Sequence, residues 1–384
     1  MVPRSFKYQI EAKDSGGSLA RAGLITTAHG LIPTPIFMPV GTRGTVKAVA
    51  PDDLTDLGAK IVLCNTYHLM LRPGEDLVAR LGGLHRFMGW PGPILTDSGG
   101  YQVFSLSKLR KMTDEGVTFQ SPYDGSRTFF SPERSIEVQT ALGVDIMMCL
   151  DECTGYPAAR HEAEKSMRLT HLWAEKCRRA WDQGETDQAL FGISQGSFFP
   201  DLRRESAAFI AGLDFPGQAV GGLALGEPLE ERLAAIEAAR ESISELKPMY
   251  LMGLGTPVDI IEGIKRGADM FDCVLPTRNA RNGQLFTRLG RLTIKNARFR
   301  EDDRPADEKC SCYTCRNFSR AYLRHLFQLD EPLAMRLASV HNLHYYLDLV
   351  GGARQALLNS TFSGYYIEFY DNLNRGREEG FTHA

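Results

Sequence analysis

The sequence lacks the features that mark membrane, secreted and disordered chains. No apolar run approaches the roughly 20 residues that a membrane-spanning helix needs. The first residues, MVPRSFKYQIEAKDSGG, contain no apolar core typical of a signal peptide. Hydrophobic residues make up 43% of the 384 residues and charged residues 24%, which excludes a wholly disordered chain. We therefore expect a soluble, cytoplasmic, globular protein.

Cysteine is scarce, and the chain carries little net charge. Five of the eight cysteines stand alone in the sequence, as reduced intracellular thiols usually do, whereas the other three fall within six residues. The formal net charge of −3 gives no overall excess of positive charge for binding nucleic acid. A chain of this length buries roughly three-quarters of its unfolded surface, so its core needs no disulfide bonds.

Eight short apolar runs that end abruptly, mostly at Gly, Asn, Asp or Gln, are predicted to be strands. Most of the gaps between them contain apolar residues at helical spacing. Strands alternating with helices imply a parallel sheet, and eight such units imply an α/β fold of the (β/α)8 TIM-barrel type. The alternative is an open doubly wound sheet, but no Gly-x-Gly-x-x-Gly turn follows an early strand. The predicted strands are Ile36–Val40, Ile61–Cys64, Ile94–Thr96, Asp145–Leu150, Leu190–Ser194, Gln218–Gly222, Met249–Met252 and Met270–Phe271. The predicted helices between and after them are Pro51–Gly58, Glu75–Leu81, Pro132–Leu142, Glu162–Asp182, Leu202–Gly212, Leu229–Glu245 and Pro257–Arg266.

An antiparallel hairpin is predicted between the third and fourth strands. The β-prone segments Val117–Phe119 and Thr128–Phe130 flank the dipeptide Asp124-Gly125, which is typical of tight turns. We interpret this hairpin, near residues 117–130, as an insertion on the barrel.

Polar residues stand at the ends of several predicted strands. In barrel enzymes these C-terminal strand ends form the mouth that carries the chemistry. A single Asp there is more often a turn or helix-cap residue, but three carboxylates converging with an amide and a Gly-rich loop favour an active site. Carboxylates in one cleft suit the nucleophile and acid/base roles of glycosyl transfer. The residues concerned are Asp97, Asp151, Gln195, Gly222 and Asp272.

Three clustered cysteines indicate a metal site. Cys310, Cys312 and Cys315 form a C-x-C-x-x-C motif, and three thiolates need a fourth ligand for tetrahedral zinc. Free thiols this close together would be chemically hazardous in a cytosolic protein. Because protein atoms would fill all four positions, we predict one structural Zn²⁺ per chain rather than a catalytic metal. The candidates for the fourth ligand are His325, His341 and His344.

His341 is the favoured fourth ligand. The pattern predicts one helix over Pro332–Ala338 and a second over His341–Leu349, so that His341 folds back on the cysteine loop. His325 lies in a predicted helix over Arg320–Leu329, and we expect its side chain to face solvent or the core.

A basic segment follows the eighth predicted strand. Cys273–Arg300 contains seven basic residues and no acidic one, so it carries +7 while the rest of the chain carries −10. A run of charge is usually a solvated face, but beside a carboxylate cleft and a zinc module this one favours contact with RNA or DNA phosphates. Its basic residues are Arg278, Arg281, Arg288, Arg291, Lys295, Arg298 and Arg300.

Five motifs are distributed along the chain: Leu95–Gln102 (LTDSGGYQ), Asp151–Thr154 (DECT), Gly221–Ala224 (GGLA), Met270–Arg278 (MFDCVLPTR), and the cysteine cluster with His341. Together they resemble those of the bacterial tRNA-guanine transglycosylases, from about Gly23 to the C-terminal helices. The resemblance implies a TIM barrel, which we place over residues 1–300. It also implies a homodimer and a C-terminal zinc-binding helical subdomain, which we place over residues 301–384, packed on the barrel.

The same resemblance implies an activity in queuosine biosynthesis. Guanine at the wobble position of tRNAs with GUN anticodons would be exchanged for a 7-deazaguanine base. By position, Asp272 resembles the nucleophile that attacks the ribose anomeric carbon. Asp97 resembles the general acid/base and is also a substrate contact.

The remaining site residues are likewise implied by the resemblance. The base-recognition groups would be Asp151, Gln195 and the backbone of Gly222 and Leu223. Two side chains, Tyr101 and Met252, would form the walls between which the base is sandwiched. The RNA-contacting positions would be Gly253, Thr277, Arg278, Asn279, Ala280 and Arg281.

The chemistry of guanine fits these roles. A purine must leave the stack of the anticodon loop before it can react, which costs a few kcal/mol. Asp151 can accept the two adjacent N–H donors of guanine, which adenine lacks, and sites of this kind discriminate by about 10⁴. While Asp272 holds the ribose, one base can leave and another enter, so two inversions give net retention without a redox or nucleotide cofactor.

The sequence departs from the family pattern at Leu225, where many bacterial members have Val. We expect the larger side chain to narrow the pocket beside the 7-substituent of the base. We therefore favour prequeuine, the aminomethyl-deazaguanine, while direct insertion of queuine stays open.

Two other classes of function are alternatives. A TIM-barrel glycoside or nucleoside hydrolase would use the same carboxylates, but it leaves the basic segment and the zinc module without a purpose. A non-catalytic RNA-binding subunit, like the inactive partner of the eukaryotic relatives, is disfavoured because Asp97, Asp151 and Asp272 are all present.

Overall fold

The structure is a computed structural model that describes residues 5–101, 110–184 and 186–382. Eight of its strands are parallel and close into a barrel, with the last strand paired to the first through Phe271 and Phe37. The predicted TIM barrel is thereby confirmed, and the open sheet is excluded. In chain order all strands are β1 Lys7–Lys13, β2 Arg21–Thr27, β3 Gly30–Thr34, β4 Ile36–Gly41, β5 Val62–Asn65, β6 Ile94–Asp97, β7 Arg110–Thr113, β8 Gly116–Gln120, β9 Arg127–Phe130, β10 Ile146–Met148, β11 Ala189–Ser194, β12 Gly217–Val220, β13 Met249–Leu251, β14 Met270–Cys273, β15 Gln284–Thr287 and β16 Gly290–Thr293.

The barrel consists of β4, β5, β6 and β10 to β14, and these are the eight strands predicted from the sequence. Alternate residues of these strands, such as Met38, Leu95 and Phe191, fill the interior as one buried cluster. Because the strands are parallel, all their C-terminal ends lie at one mouth, where the polar residues follow.

The antiparallel sheet β1–β2–β3 was not predicted, and it covers the opposite end of the barrel. Its Ile25 and Ile32 join the cluster inside the barrel. Buried Arg21 binds the carboxylate of Asp269, which stands just before β14. The alternating exposed and partly buried residues of β1 are the period-two signal that would have identified this sheet.

The insertion after β6 contains the predicted hairpin and one additional strand. β8 and β9 pair antiparallel, with Val117 opposite Phe130, which confirms the hairpin. β7 pairs with β8 to make a three-stranded sheet.

Helices alternate with the barrel strands as expected. Ser131 caps one of them by accepting the backbone N–H of Arg134, and Pro132 occupies its first turn. The helix that begins at Leu229 ends at Arg240, five residues before the predicted end. The helices are α1 Pro51–Asp56, α2 Thr66–Leu71, α3 Glu75–Arg80, α4 Gly83–Met88, α5 Pro132–Leu142, α6 Arg160–Gln183, α7 Pro200–Gly212, α8 Leu229–Arg240, α9 Pro257–Lys265, α10 Leu275–Arg281, α11 Tyr313–Asn317, α12 Arg320–Gln328, α13 Pro332–Leu358 and α14 Phe362–Glu378, with a 3-10 helix over Ala297–Phe299.

The prediction of two separate helices around His341 was wrong. A single 27-residue helix, α13, runs through both, and His341 lies inside it. Ser339 and Val340, the two residues between the predicted helices, are buried, so packing holds this segment helical although Ser and Val have modest helix propensity. Asn342 fixes the helix by donating to Pro276 O at 2.9 Å and Gln284 O at 3.0 Å.

None of the described helices has both the length and the apolar composition needed to cross a membrane.

Candidate active site and metal centre

The mouth of the barrel brings together the carboxylates predicted from the strand ends. Asp97 ends β6, Asp272 lies on β14, and Asp151 follows β10. The negative charges of Asp272 and Asp151 both raise the pKa of Asp97, so the three carboxylates lie close enough at this mouth to interact. Gln195 and Gly222 follow β11 and β12 at the same mouth, and Gln195 is bonded to Asp151.

Asp272 is held through one of its two oxygens. The Tyr250 hydroxyl donates to Oδ1 at 2.6 Å, and the backbone N–H of Gly253 donates to the same oxygen at 2.7 Å. Burial raises the pKa of Asp272, while these two donors counteract the increase. Among the described residues no donor reaches Oδ2, so this oxygen is the one available for attack.

Asp97 is buried near two other carboxylates, which favours its protonated form. Asn65 Nδ2 donates to Oδ2 at 2.5 Å, and the backbone N–H of Thr66 donates to Oδ1 at 3.2 Å. Burial raises the pKa of Asp97 to about 8, and the charge of Asp272 adds to the increase. Asp97 is therefore mostly protonated at neutral pH, which suits a proton donor.

Asp151 and Gln195 form a buried, hydrogen-bonded pair. Gln195 Nε2 donates to Asp151 Oδ2 at 2.7 Å, and the Ser98 hydroxyl donates to Oδ1 at 3.0 Å. Burial raises the pKa of Asp151 to about 6, while these donors limit the increase. The carboxylate is therefore mostly ionised at neutral pH and can accept N–H groups from a base.

Two glycines allow backbone to approach this pair closely. A Cβ atom on Gly100 would lie 2.4 Å from the carbonyl oxygen of Asp151. A Cβ atom on Gly222, whose φ is +69°, would lie 2.2 Å from Gln195 Oε1. A side chain at either position would collide with Asp151 or Gln195, so only glycine permits this close packing of the backbone around the pair.

Two residues of this site were missed in the sequence analysis. Ser98 directly follows Asp97 in the LTDSGGYQ motif, and its adjacency to a proposed catalytic residue was a usable signal. Tyr250 is a fully buried tyrosine on a barrel strand, and a buried hydroxyl requires a partner. Its partner, Asp272, lies on the neighbouring strand.

The proposed walls of the base slot stay predictions. Tyr101 is 45% exposed and stands at the edge of the described residues, while Met252 is partly buried just after β13. Leu223 is buried, and Leu225 is partly buried with its backbone N–H bonded to Glu227 at 2.8 Å.

The proposed RNA-contacting residues lie close to Asp272 in the sequence but differ in exposure. On α10 the side chains of Thr277, Asn279 and Ala280 are buried, whereas Arg278 is exposed and Arg281 partly exposed. Side-chain contact with a phosphate therefore depends on the two arginines. Gly253 is exposed at the mouth.

The basic segment is not one free positive strip. Arg288 binds the carboxylates of Asp307 at 3.4 Å and Asp348 at 2.9 Å, both from outside the segment. In contrast, Lys295, Arg298 and other members are exposed. The positive charge available to an RNA is smaller than the sequence count of +7 implies.

The four predicted metal ligands converge. His341 Nδ1 lies 3.7, 3.6 and 3.2 Å from the sulfurs of Cys310, Cys312 and Cys315. Tetrahedral zinc with ordinary bond lengths requires a sulfur-to-nitrogen separation of about 3.6 Å. His341 Nε2 donates to the Phe286 carbonyl at 2.7 Å, which leaves Nδ1 without a proton and able to bind a metal. The donor set and its geometry therefore fit a metal ion.

The other two histidine candidates do not belong to this converging set. His344 Nδ1 approaches Cys310 Sγ at 3.5 Å, but it is not part of the group whose ligand atoms all converge. His325 is exposed on α12, in agreement with the expectation that it faces solvent or the core.

A second group of potential ligands lies at the opposite end of the barrel. The rings of His29 and His85 stack with centroids 3.6 Å apart, and their nitrogens meet the two oxygens of Asp145 at 2.9 and 3.0 Å. Backbone N–H groups of His29 and Ile94 also donate to this carboxylate. Lone pairs of stacked rings do not converge on one point, so the group is a hydrogen-bonded structural cluster.

Comparison with known proteins places this geometry in a family context. The family model described as TGT, queuine tRNA-ribosyltransferase, matches residues 14–375. A queuine tRNA-ribosyltransferase of Nitratidesulfovibrio vulgaris (strain DP4) is 57% identical over 94% of this chain and 96% of its own length. Proteins of the same name from Janthinobacterium sp. (strain Marseille) and Thermoanaerobacter pseudethanolicus (strain ATCC 33223 / 39E) are 53% and 52% identical, over 93% and 95% of this chain and 96% and 97% of their own lengths.

Proposed function

This chain belongs to the queuine tRNA-ribosyltransferase family, and we propose that it exchanges guanine at the tRNA wobble position for a 7-deazaguanine base. The observation that supports this proposal most is the cleft in which Asp97, Asp151 and Asp272 meet in three different hydrogen-bonding environments. Such differences separate the pKa values of neighbouring carboxylates and so assign them different tasks.

The exchange proceeds in two displacements. Asp272 Oδ2 forms a bond to the ribose anomeric carbon as the bond to guanine breaks, and protonated Asp97 gives its proton to the departing base. The incoming deazaguanine then gives its N9 proton to Asp97 and displaces the ester oxygen of Asp272. Each displacement inverts the anomeric carbon, so the product keeps the original configuration.

Base recognition depends on the buried pair of Asp151 and Gln195. The Asp151 oxygens retain lone pairs besides those used by Ser98 and Gln195, and they accept the adjacent N–H groups of a guanine-type base. Hydrogen bonds to a charged group contribute about 1.5–3 kcal/mol each. Adenine lacks these donors and would leave the carboxylate unpaired, so it is rejected.

The site formed by the three clustered cysteines and His341 is proposed to bind zinc, with a structural role. Cys310, Cys312, Cys315 and His341 would fill all four positions of a tetrahedral ion, leaving none for substrate. The ion would fasten the loop before α11 to α13.

Several finer features follow from family membership as proposals. The base taken up is proposed to be prequeuine, because Leu225 is expected to narrow the region beside the 7-substituent. The RNA partner is proposed to be the anticodon loop of tRNAs with GUN anticodons, contacted through Arg278 and Arg281. The protein that binds it is proposed to be a homodimer located in the cytoplasm.

Incubation of the protein with labelled guanine and tRNA tests the activity. We expect label to enter a tRNA with a GUN anticodon and not a tRNA with another wobble base. A folded protein that leaves this tRNA unlabelled, or that releases sugar from small glycosides instead, would contradict the proposal.

Competition between prequeuine and queuine for the labelled position identifies the preferred base.

A further inference from the structure

Arg203 is a buried charge that the chemistry described above does not use. It lies on α7 and has no solvent exposure. Burial lowers its pKa to about 10, so it stays charged at neutral pH. Within the described residues its guanidinium donates only to backbone carbonyls and to no carboxylate. A buried cation without a carboxylate partner is costly, which indicates a specific role.

The carbonyls that Arg203 binds belong to two loops at the barrel mouth. Its Nε donates to Ser197 O at 2.6 Å, and one terminal nitrogen donates to Ser194 O at 3.2 Å and Gly221 O at 2.7 Å. The other terminal nitrogen donates to Gly222 O at 3.3 Å. One side chain therefore joins the loop after β11 to the loop after β12.

These two loops carry the amide and the glycine of the base slot. Gln195 lies between the two serines whose carbonyls Arg203 binds, and its side chain donates to Asp151. Its backbone N–H donates at 3.0 Å to the hydroxyl of Ser206, one turn after Arg203 on α7. Because Gly222 packs directly against Gln195 Oε1, a shift of either loop would change the width of the slot.

We propose that Arg203 is a positioning residue that sets base specificity by fixing Gln195 and Gly222 relative to Asp151. This inference rests on the proposed function, since it names the guanine-type base as the ligand of that slot. The planar guanidinium offers five donors in a rigid fork, which is what four carbonyls in two loops require. A lysine ammonium offers its three donors from one point and cannot span both loops.

The test compares Arg203→Lys and Arg203→Met with wild type. The kcat, the KM for guanine and the KM for tRNA are measured separately, together with the Kd for guanine by calorimetry. The matched control is Arg21→Lys, because Arg21 is a buried arginine that binds two backbone carbonyls and Asp269 at the opposite end of the barrel.

We expect both Arg203 variants to raise the KM and Kd for guanine about tenfold or more, the effect of losing about one well-placed hydrogen bond. The KM for tRNA and the kcat of the folded protein should change by less than about threefold. The preference for guanine over hypoxanthine, which lacks the 2-amino group, should fall. Arg21→Lys should lower Tm without changing either guanine constant.

A guanine Kd within about twofold of wild type in the Arg203 variants would overturn the inference, as would an equal increase in Arg21→Lys. Ser206→Ala removes the other α7 contact without a change in charge, and it should raise the guanine KM by a smaller factor even if an Arg203 variant fails to fold. An unchanged KM in that variant would also contradict the inference. If wild type binds guanine but does not exchange it, the proposed function fails while the binding comparison still decides the role of Arg203.

Discussion

Asp97 and Asp272 have the same side chain, yet their surroundings differ in the way that the proposed roles of acid and nucleophile require. Asp272 receives two donors on one oxygen, from Tyr250 and Gly253, which stabilises its ionised form and leaves Oδ2 open. Asp97 is buried near the charge of Asp272, which favours its protonated form. The proposed nucleophile and the proposed acid are therefore distinguished by neighbours that are not adjacent to either residue in sequence.

Asp272→Asn is expected to abolish the covalent RNA adduct, because an amide does not form a ribosyl ester. Exchange should fall by about 10³-fold or more, as for loss of a nucleophile elsewhere. The adduct is measured as a band stable on a denaturing gel. Asp201→Asn, which changes an exposed carboxylate, serves as the control and should keep both adduct and exchange. An undiminished adduct in Asp272→Asn would move the nucleophile to another residue.

The pKa of Asp97 predicts how exchange depends on pH. Its protonated form is needed to donate to the departing guanine, and this form is lost as pH rises through about 8. We therefore expect kcat/KM to fall about tenfold per pH unit on the alkaline side. Protonation of Asp272 should produce the opposite limb at low pH. A rate that stays flat from about pH 7.5 to about pH 9.5, with the fold intact by circular dichroism, would contradict this role.

At the scale of elements, the sequence located the barrel strands and the metal ligands but not the course of α13. The strands were predictable because each apolar run is short and ends at a polar residue or glycine. The division of α13 into two helices was wrong because Ser339 and Val340 have modest helix propensity, whereas in the fold both are buried by tertiary packing within one continuous helix. The identification of His341 does not depend on this error. His341 reaches the cysteines from inside one long helix as it would have from the start of a shorter one.

Cys312→Ser is expected to reduce bound zinc from about one equivalent per chain to nearly none, because three ligands hold the ion much more weakly than four. The loop before α11 should then separate from α13 and Tm should fall. Zinc is measured by metal analysis of the purified protein. His325→Ala provides the control, since His325 is exposed on α12 and lies outside the converging group. Retention of a full equivalent in Cys312→Ser would exclude this ligand set.

At the scale of the whole molecule, the contacts that a single sequence does not reveal are those between its two ends. α13 packs against the N-terminal sheet as well as against the barrel strand β4. Arg354 on α13 donates to Gly23 O at 2.7 Å and Thr34 O at 2.6 Å, more than 300 residues away in sequence. The other terminal nitrogen of Arg354 pairs with the carboxylate of Glu11 on β1. Two of the three partners are backbone carbonyls and the third lies at the other end of the chain, so no local pattern of residue types marks the contact. The missed sheet β1–β3 belongs to this same region.

Arg354→Ala is expected to destabilise the fold by about 2–4 kcal/mol, because it leaves two partly buried carbonyls without a donor and also removes the ion pair with Glu11. The matched control is Arg336→Ala on the same helix. Arg336 forms an exposed ion pair with Asp53, and loss of such a pair costs about 0–1 kcal/mol. Both changes are measured by thermal and denaturant unfolding, with exchange activity determined per folded molecule. That activity should stay near wild type in both variants, because neither arginine contacts the mouth of the barrel. Equal losses of stability would show that the tie between α13 and the N-terminal sheet contributes no more than a surface ion pair.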